Sequence, residues 1–460
     1  MPTLSILERR CRELMSPGWR LSEEYRGQRR AAEPKKRTAR HRGYRPLLGT
    51  LAVAALVCAV PGPAVAAPGD EFYVPPSPLP TRANGDLIRS EPVGLLAGLG
   101  TPLPVAGTRI LYQSTDTHGA SIAISGIAMT PTTPWPGPGP RPLVSYAVGT
   151  HGGGDSCAPS KLLTDGVTFD SSGIPAVEYS IPDLAALLAG GFAVVMTDYQ
   201  GIGTPGNHTY LQPLPEGHAV LDAARAAIRL GITTPNAPVA LWGLSQGGGA
   251  VAGAAQLAAS YAPDLEVAGT VAAAPPVNPA EAMATADGKW GTGLIGLFLN
   301  GLLASHPEIT TTVTDRLNPN GREFLRATAD QCFGLATWAG RSTKEFTTTG
   351  QTFIQLLQSD PTTRAVLDSL VLGDVSPADP VIIMQNVNDD LVPASPTLQL
   401  AADWCAQGAN LTYLSIDAPP MLPQLGILGH AATFVANFDA VRWVTDRLAG
   451  IPAPQSNCRP

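Results

Sequence analysis

The chain predicts an α/β fold in which a mostly parallel sheet is covered by helices. Three observations point there. Strand-like and helix-like segments alternate along much of the 460 residues. Several strand candidates are apolar on both faces rather than alternating. Gly243-Leu244-Ser245-Gln246-Gly247 stands between one such strand and a helix-compatible run. The 48 Gly and 45 Pro are too many for a helical bundle, yet apolar segments recur too regularly for disorder.

Residues 1–66 are read as a leader outside the fold. Residues 1–45 hold 13 Lys/Arg against 5 Glu, residues 47–60 are an uncharged apolar run, and Ala64-Val65-Ala66 is a small-x-small cleavage site. This is the layout of a secretory signal, and the apolar run is shorter than the about 20 residues a membrane span needs. Export with cleavage near Ala66 is therefore expected. Residues 67–460 keep 17 basic and 32 acidic side chains, which argues against nucleic acid or anionic membranes as main partners. Cys157, Cys332, Cys405 and Cys458 remain. An even number in an exported chain predicts two disulfides, with three pairings open. No two have metal-ligand spacing.

Residues 70–92, rich in Pro and polar side chains, predict an extended arm. Strand-like runs follow at 108–114 and 121–129, then a Pro/Gly turn at 131–140 and the apolar run 143–148. Residues 181–189 predict a short helix ended by Gly190-Gly191, and 192–196 a buried strand. Residues 217–230 have helical periodicity, with Val220, Leu221, Ala224 and Ile228 on one face. A strand at 239–242, a helix at 248–261 and a strand at 267–272 come next. Between 273 and 379 strong strands vanish. The apolar 294–303 and amphipathic 353–370 predict a largely helical cap over 276–378, inserted between core segments 67–275 and 379–460. Strands return at 381–384 and 411–416, with helices at 396–406 and 431–449.

The G-x-S-x-G run has the form of a nucleophile elbow, a sharp strand-to-helix turn that exposes the Ser245 hydroxyl. A side chain two residues before or after the serine would meet neighbouring backbone, so glycine stands at both places. A serine becomes a nucleophile when a histidine takes its proton and a carboxylate orients that histidine. In the α/β-hydrolase arrangement these follow in the order Ser, Asp/Glu, His. Of seven histidines, only His430 lies beyond the last strand pair, before the final helix. The carboxylate is expected after the strand at 381–384. Asp389 is chosen as the acid three residues before Val392, leaving Asp390 as a solvated loop carboxylate.

An oxyanion also needs donors. The backbone N–H of Gln246 supplies one. The second is expected in Thr150-His151-Gly152-Gly153-Gly154, an HGGG motif after an early strand, from the N–H of His151 or Gly152. The run from Gly201 to Gly206 fits G-x-G-x-x-G, but Pro205 and the loop after it deny the helix a dinucleotide site requires. His208 and His218 are read as structural, hydrogen-bonded near the sheet edge.

With Ser245, Asp389 and His430 in place, the chain resembles the secretory lipase family of the Candida antarctica lipase A type, within the α/β-hydrolase superfamily. The residues that carry the likeness are Asp155-Ser156-Cys157-Ala158-Pro159-Ser160, Thr197-Asp198-Tyr199-Gln200-Gly201, Glu216-Gly217-His218-Ala219-Val220-Leu221-Asp222, the elbow, and Asp389 through Pro393. The resemblance implies an α/β-hydrolase fold with a helical lid between nucleophile and acid, and hydrolysis of long-chain carboxylic esters without a cofactor. It also implies the disulfides Cys157–Cys332 and Cys405–Cys458.

The expectation is thus an exported serine esterase or lipase acting on lipid or ester substrates, with transient contact at lipid interfaces. Trp290, Leu294, Leu297, Phe298 and Leu302, at near-helical spacing, are read as a wall of the acyl pocket or as plain core packing. Alternative readings are acyl transfer or peptide cleavage by the same three residues, and a non-catalytic surface-binding scaffold.

Overall fold

The computed structural model describes residues 70–458 apart from 98–99, 333–334 and 420–426. The expected leader, and most of the loop preceding His430, lie outside the described residues. A nine-stranded sheet organises the rest. Its strands are β1 (Leu87–Val93), β2 (Val105–Thr115), β3 (Ser121–Pro131), β4 (Leu143–Ala147), β5 (Ala193–Thr197), β6 (Val239–Leu244), β7 (Val267–Ala273), β8 (Val381–Asn386) and β9 (Leu411–Ile416). They lie in the order β1-β2-β3-β5-β4-β6-β7-β8-β9. The pairs from β1 to β5 are antiparallel, and those from β5 to β9 are parallel. Residues in β4, β5, β6 and β8 are all buried, as a parallel sheet covered on both faces requires. This is the mostly parallel, helix-covered sheet that the alternation predicts, and the α/β-hydrolase fold that the resemblance implies.

Helices Pro213–Leu230, Gln246–Tyr261 and Ala394–Ala406 form one packed group, and Ile181–Ala189 with Asn437–Leu448 another. The helix expected from 217 begins at Pro213, whose missing N–H costs nothing in a first turn. It ends at Gly231, where φ is 83°, a left-handed cap that glycine adopts without strain.

Two expectations need correcting. The arm at 70–92 is not simply extended. Phe72 and Tyr73 are buried in a 3-10 turn, and residues 87–93 pair with β2 as the edge strand β1. The apolar Leu87, Ile88 and Val93 suit a sheet margin, and Pro92 is tolerated there. The helix expected over 431–449 is broken into Leu428–Ala431, a 3-10 stretch Ala432–Ala436, and Asn437–Leu448. Hydrogen bonds from His430 to Asp389 and Asp390 pin the first turn, so the helix proper starts later.

Between β7 and β8 the chain is helical, including Pro279–Ala286, Thr292–Ser305, Pro319–Asp330, Phe353–Ser359 and Pro361–Ser369. These residues share a hydrophobic cluster built around Phe298, Phe324, Phe346 and Phe353, joined from the core by Tyr210, Leu211, Leu391 and Val392. Local caps start the helices. Asn318 accepts from the Gly321 N–H, and Thr352 and Gln355 form a capping box, each worth about 1 kcal/mol. Disulfides join Cys157 to Cys332 and Cys405 to Cys458. The first ties the loop after β4 to the inserted helices.

Candidate active site

Three loops at the carboxyl ends of β6, β8 and β9 meet. Ser245 has φ 59° and ψ −123°, a strained conformation for a residue with a Cβ. It is held there because the Ser245 N–H donates to Ala273 O at 2.8 Å and the Gly249 N–H donates to Ser245 O at 3.0 Å. A Cβ at Gly243 would collide with the Gly247 carbonyl, and one at Gly247 with the Ala147 carbonyl. Both elbow glycines therefore answer the steric demand read from the sequence.

Ser245 Oγ lies 2.8 Å from His430 Nε2, and His430 Nδ1 lies 2.8 Å from Asp389 Oδ2. The Asp389 carboxylate can only accept from Nδ1–H, which leaves Nε2 free to accept the serine proton. Asp389 is itself fixed. Its Oδ1 accepts from the N–H groups of Leu391 and Val392 at 3.0 and 2.8 Å, and its Oδ2 from Gln385 Nε2 at 3.2 Å. Burial resists charge on His430, but the Asp389 carboxylate, helped by Asp390, outweighs it and raises the imidazole above its ordinary value. Asp390, the loop carboxylate beside Asp389, has a further contact. Its Oδ1 accepts the His430 backbone N–H at 3.2 Å.

A cavity of 230 Å³ opens on Ser245 and His430. Leu244, Leu294, Leu391, Ile427 and Phe434 give it apolar walls, and Gly149, Thr150 and Tyr179 close the side toward β4. Larger grooves of 600 and 820 Å³ hold none of Ser245, His430 and Asp389. The first lies at the amino ends of the strands, beside Phe192, Pro238 and Pro380, and the second beside Cys405 and Cys458. Ligands of open α/β sheets bind at carboxyl ends, so the smaller cavity is the relevant one. Of the five residues offered as an acyl wall, Leu294 lines it. Leu297, Phe298 and Leu302 are buried in the cluster of the inserted helices, and Trp290 is half-buried outside the cavity lining.

The glycines of the HGGG run have a packing use. Gly152, at φ 124°, bridges to Cys332, and a Cβ on Gly152, Gly153 or Gly154 would strike the backbone of residues 329–332. These glycines let the loop pack against the inserted segment. The His151 ring is buried, with Nδ1 at 2.9 Å from Gly149 O and Nε2 at 3.1 Å from Glu178. The loop residues that reach the cavity are Gly149 and Thr150. Thr150 opens the run that carries the motif and Gly149 precedes it, in the first turn after β4, where a donor next to the elbow would sit.

The Gln246 side chain is also buried. Its Nε2 donates to Glu216 Oε1 at 2.7 Å and to His208 Nε2 at 2.7 Å. His208 therefore packs beneath the elbow rather than at the sheet edge. His218 is structural as expected, donating from Nδ1 to Thr115 O at 3.1 Å and stacking on Tyr261. After Gly201–Gly206 the next helix begins at Pro213, so no helix opens on that glycine run.

A family model described as secretory lipase matches residues 172–456. The chain is 30% identical over 395 residues to the "Probable inactive lipase MT1628" of Mycobacterium tuberculosis (strain CDC 1551 / Oshkosh), covering 85% of this chain and 84% of that protein. It is 29% identical over 356 residues to the "Secreted triacylglycerol lipase LIP2" of Malassezia furfur, covering 75% and 73%. Among solved structures, Candida antarctica lipase A in its closed state superposes with a TM-score of 0.73 at 22% identity, over 86% of this chain and 90% of that one. The rice cell wall degrading esterase LipA of Xanthomonas oryzae gives 0.65 at 18%, over 79% and 98%. The structural likeness bears on the fold alone, whereas the sequence matches cover most of the chain: it belongs to the secretory lipase family.

Proposed function

We propose that this protein is an exported serine hydrolase that cleaves carboxylic esters, among them acylglycerols, through an acyl-enzyme on Ser245. The observation that carries the reading is the relay of two 2.8 Å contacts, Ser245 to His430 and His430 to Asp389. Ser245 Oγ attacks the acyl carbonyl as its proton passes to His430 Nε2, and Asp389 stabilises the resulting imidazolium. The tetrahedral oxygen is held by the backbone N–H of Gln246, at the start of a helix whose first N–H groups point outward. The second donor in this reading is the N–H of Thr150, because Thr150 lines the same cavity as Ser245. His430 then protonates the departing alkoxide, and a water activated by the same imidazole releases the acid.

One relative is named as a probable inactive lipase, which favours a second reading: a hydrolase scaffold retained without turnover. Residues 67–460 and a Ser245→Ala control, assayed on esters from two to eighteen acyl carbons, separate the two. Turnover lost by about 10⁶-fold in the control supports catalysis. No turnover in the parent, together with no labelling of Ser245 by a fluorophosphonate, would leave only the scaffold.

A further inference from the structure

A second cavity, of 220 Å³, adjoins the catalytic one, and Tyr179 and Phe434 line both. Its other walls include Ala186 from the helix Ile181–Ala189, and Phe438 and Val441 from the helix Asn437–Leu448. Phe438 is 87% exposed, an aromatic rim held in water. The acid in this wall, Asp183, is buried and accepts from Tyr146 Oη at 3.0 Å, so the wall is otherwise apolar.

Two facts give this cavity a role. Each space alone is smaller than the about 300 Å³ at which small-molecule sites begin, and the two joined fall within that class. The second space is also built by the segment that carries His430, since Phe434 and Phe438 follow it by four and eight residues. An ester's alcohol oxygen has to come within reach of His430 Nε2 to be protonated as it leaves. Its hydrocarbon is then directed along that segment, while the acyl group keeps the space against Leu294 and Leu391.

Resting on the ester-hydrolase reading above, we infer that the second cavity is a subsite for the apolar part of the leaving alcohol. The substrate class is then esters carrying hydrocarbon on both sides of the carbonyl, with a bulky aryl or branched alcohol matched to a short acyl group.

The test compares kcat/KM for ethyl butyrate, 2-naphthylmethyl butyrate and ethyl 2-naphthylacetate in the full protein, in Ala186→Phe and in Phe438→Ser. The parent should prefer the naphthylmethyl alcohol over ethanol by roughly 10- to 100-fold. Filling the space in Ala186→Phe should bring that ratio close to one. Phe438→Ser removes an exposed ring, so it keeps a folded comparison if Ala186→Phe does not fold, and it should lower the ratio several-fold. A ratio near one in the parent, a ratio unmoved by both variants, or a loss confined to the naphthylacetate would each overturn the subsite while leaving ester hydrolysis intact. A parent inactive on all three esters and unlabelled at Ser245 would overturn both readings together.

Discussion

His151 and Glu178 form an ion pair at 3.1 Å in which neither side chain is more than 2% exposed. Burial disfavours charge on both. Their mutual attraction, with the Gly149 carbonyl on one side and the Ser180 N–H on the other, nevertheless raises the histidine and lowers the carboxylate. The pair sits behind the cavity wall. His151 Nδ1–H donates to Gly149 O, its ring stacks on Tyr179 at 4.5 Å, and the Tyr179 hydroxyl donates to Thr150 O at 2.9 Å.

Glu178→Gln should destabilise the fold by about 1.5–3 kcal/mol, the range for a hydrogen-bonded charge. The sign with pH follows from linkage. A raised histidine contributes fully below its ordinary value and loses the contribution as pH climbs through its folded value. A lowered carboxylate contributes above its ordinary value and loses it as pH falls. The gap in urea midpoint between parent and variant should therefore be widest in mildly acidic solution and narrow on both sides. A gap that stays flat from pH 4 to 9 would show that the pair carries no charge.

Glu216 should behave in the opposite way. It is 1% exposed, and burial lifts its carboxyl well above the ordinary range, only partly offset by hydrogen bonds from Gln246 Nε2 and the Leu211 N–H. Burial likewise pushes His208 down to about 4, so it is neutral. Its Nδ1–H donates to Gln200 O and its Nε2 accepts from Gln246. A neutral acid is nearly isosteric with an amide. Glu216→Gln should thus change stability by less than about 1 kcal/mol at mildly acidic pH. A raised carboxyl loses its contribution as pH climbs, so the variant should gain on the parent toward alkaline pH. A variant that instead falls further behind there would mean Glu216 is ionised in the fold.

These buried ionisable groups were not legible in the sequence, and the reason is physical. The elbow glycines and Ser245 answer to atoms within a few residues, so a local motif captures them. Asp389 and His430 were found from chain order, because the fold puts each after a particular strand. Glu178, Thr150 and the bond from the His430 N–H to Asp390 depend on which loops meet across the sheet, and no spacing encodes that. The HGGG run carries a further demand that its motif does not state: its glycines allow close packing against residues 329–332. Edge strand β1 was missed for a related reason: Pro92 and the polar side chains around it read as an arm until β2 is there to pair with.

Asp389→Asn should leave the fold intact and lower kcat by about 10⁴-fold, the cost of losing the tautomer and the imidazolium partner. In the proposed mechanism His430 has to be neutral to accept the Ser245 proton. In the parent, kcat/KM should therefore rise with pH through a value above the ordinary 6.5 of histidine, since Asp389 and Asp390 together outweigh burial. Without the Asp389 charge, burial regains weight and the residual pH profile should shift to lower pH. A profile left in place would place the titrating group elsewhere.

The two disulfides should separate stability from activity. Cys157–Cys332 spans 175 residues and Cys405–Cys458 spans 53, so by chain entropy alone replacing either pair with serine should cost about 4–5 kcal/mol. Their surroundings differ. Cys332 bridges to Gly152, and its N–H donates to Asp170 Oδ2 at 3.2 Å. Losing the first disulfide therefore frees the loop that carries Gly149 and Thr150 from the inserted helices. Cys458 holds residues 456–458 along β9, where the Tyr413 N–H donates to Asn457 Oδ1 at 2.7 Å, and none of these residues lines the cavity at Ser245. Both double variants should melt earlier, but only Cys157→Ser/Cys332→Ser should lose kcat at a temperature where both remain folded, by roughly 10-fold or more for a loosened oxyanion donor. Equal kcat in the two variants would mean that the loop after β4 keeps its place without the tie to the inserted helices.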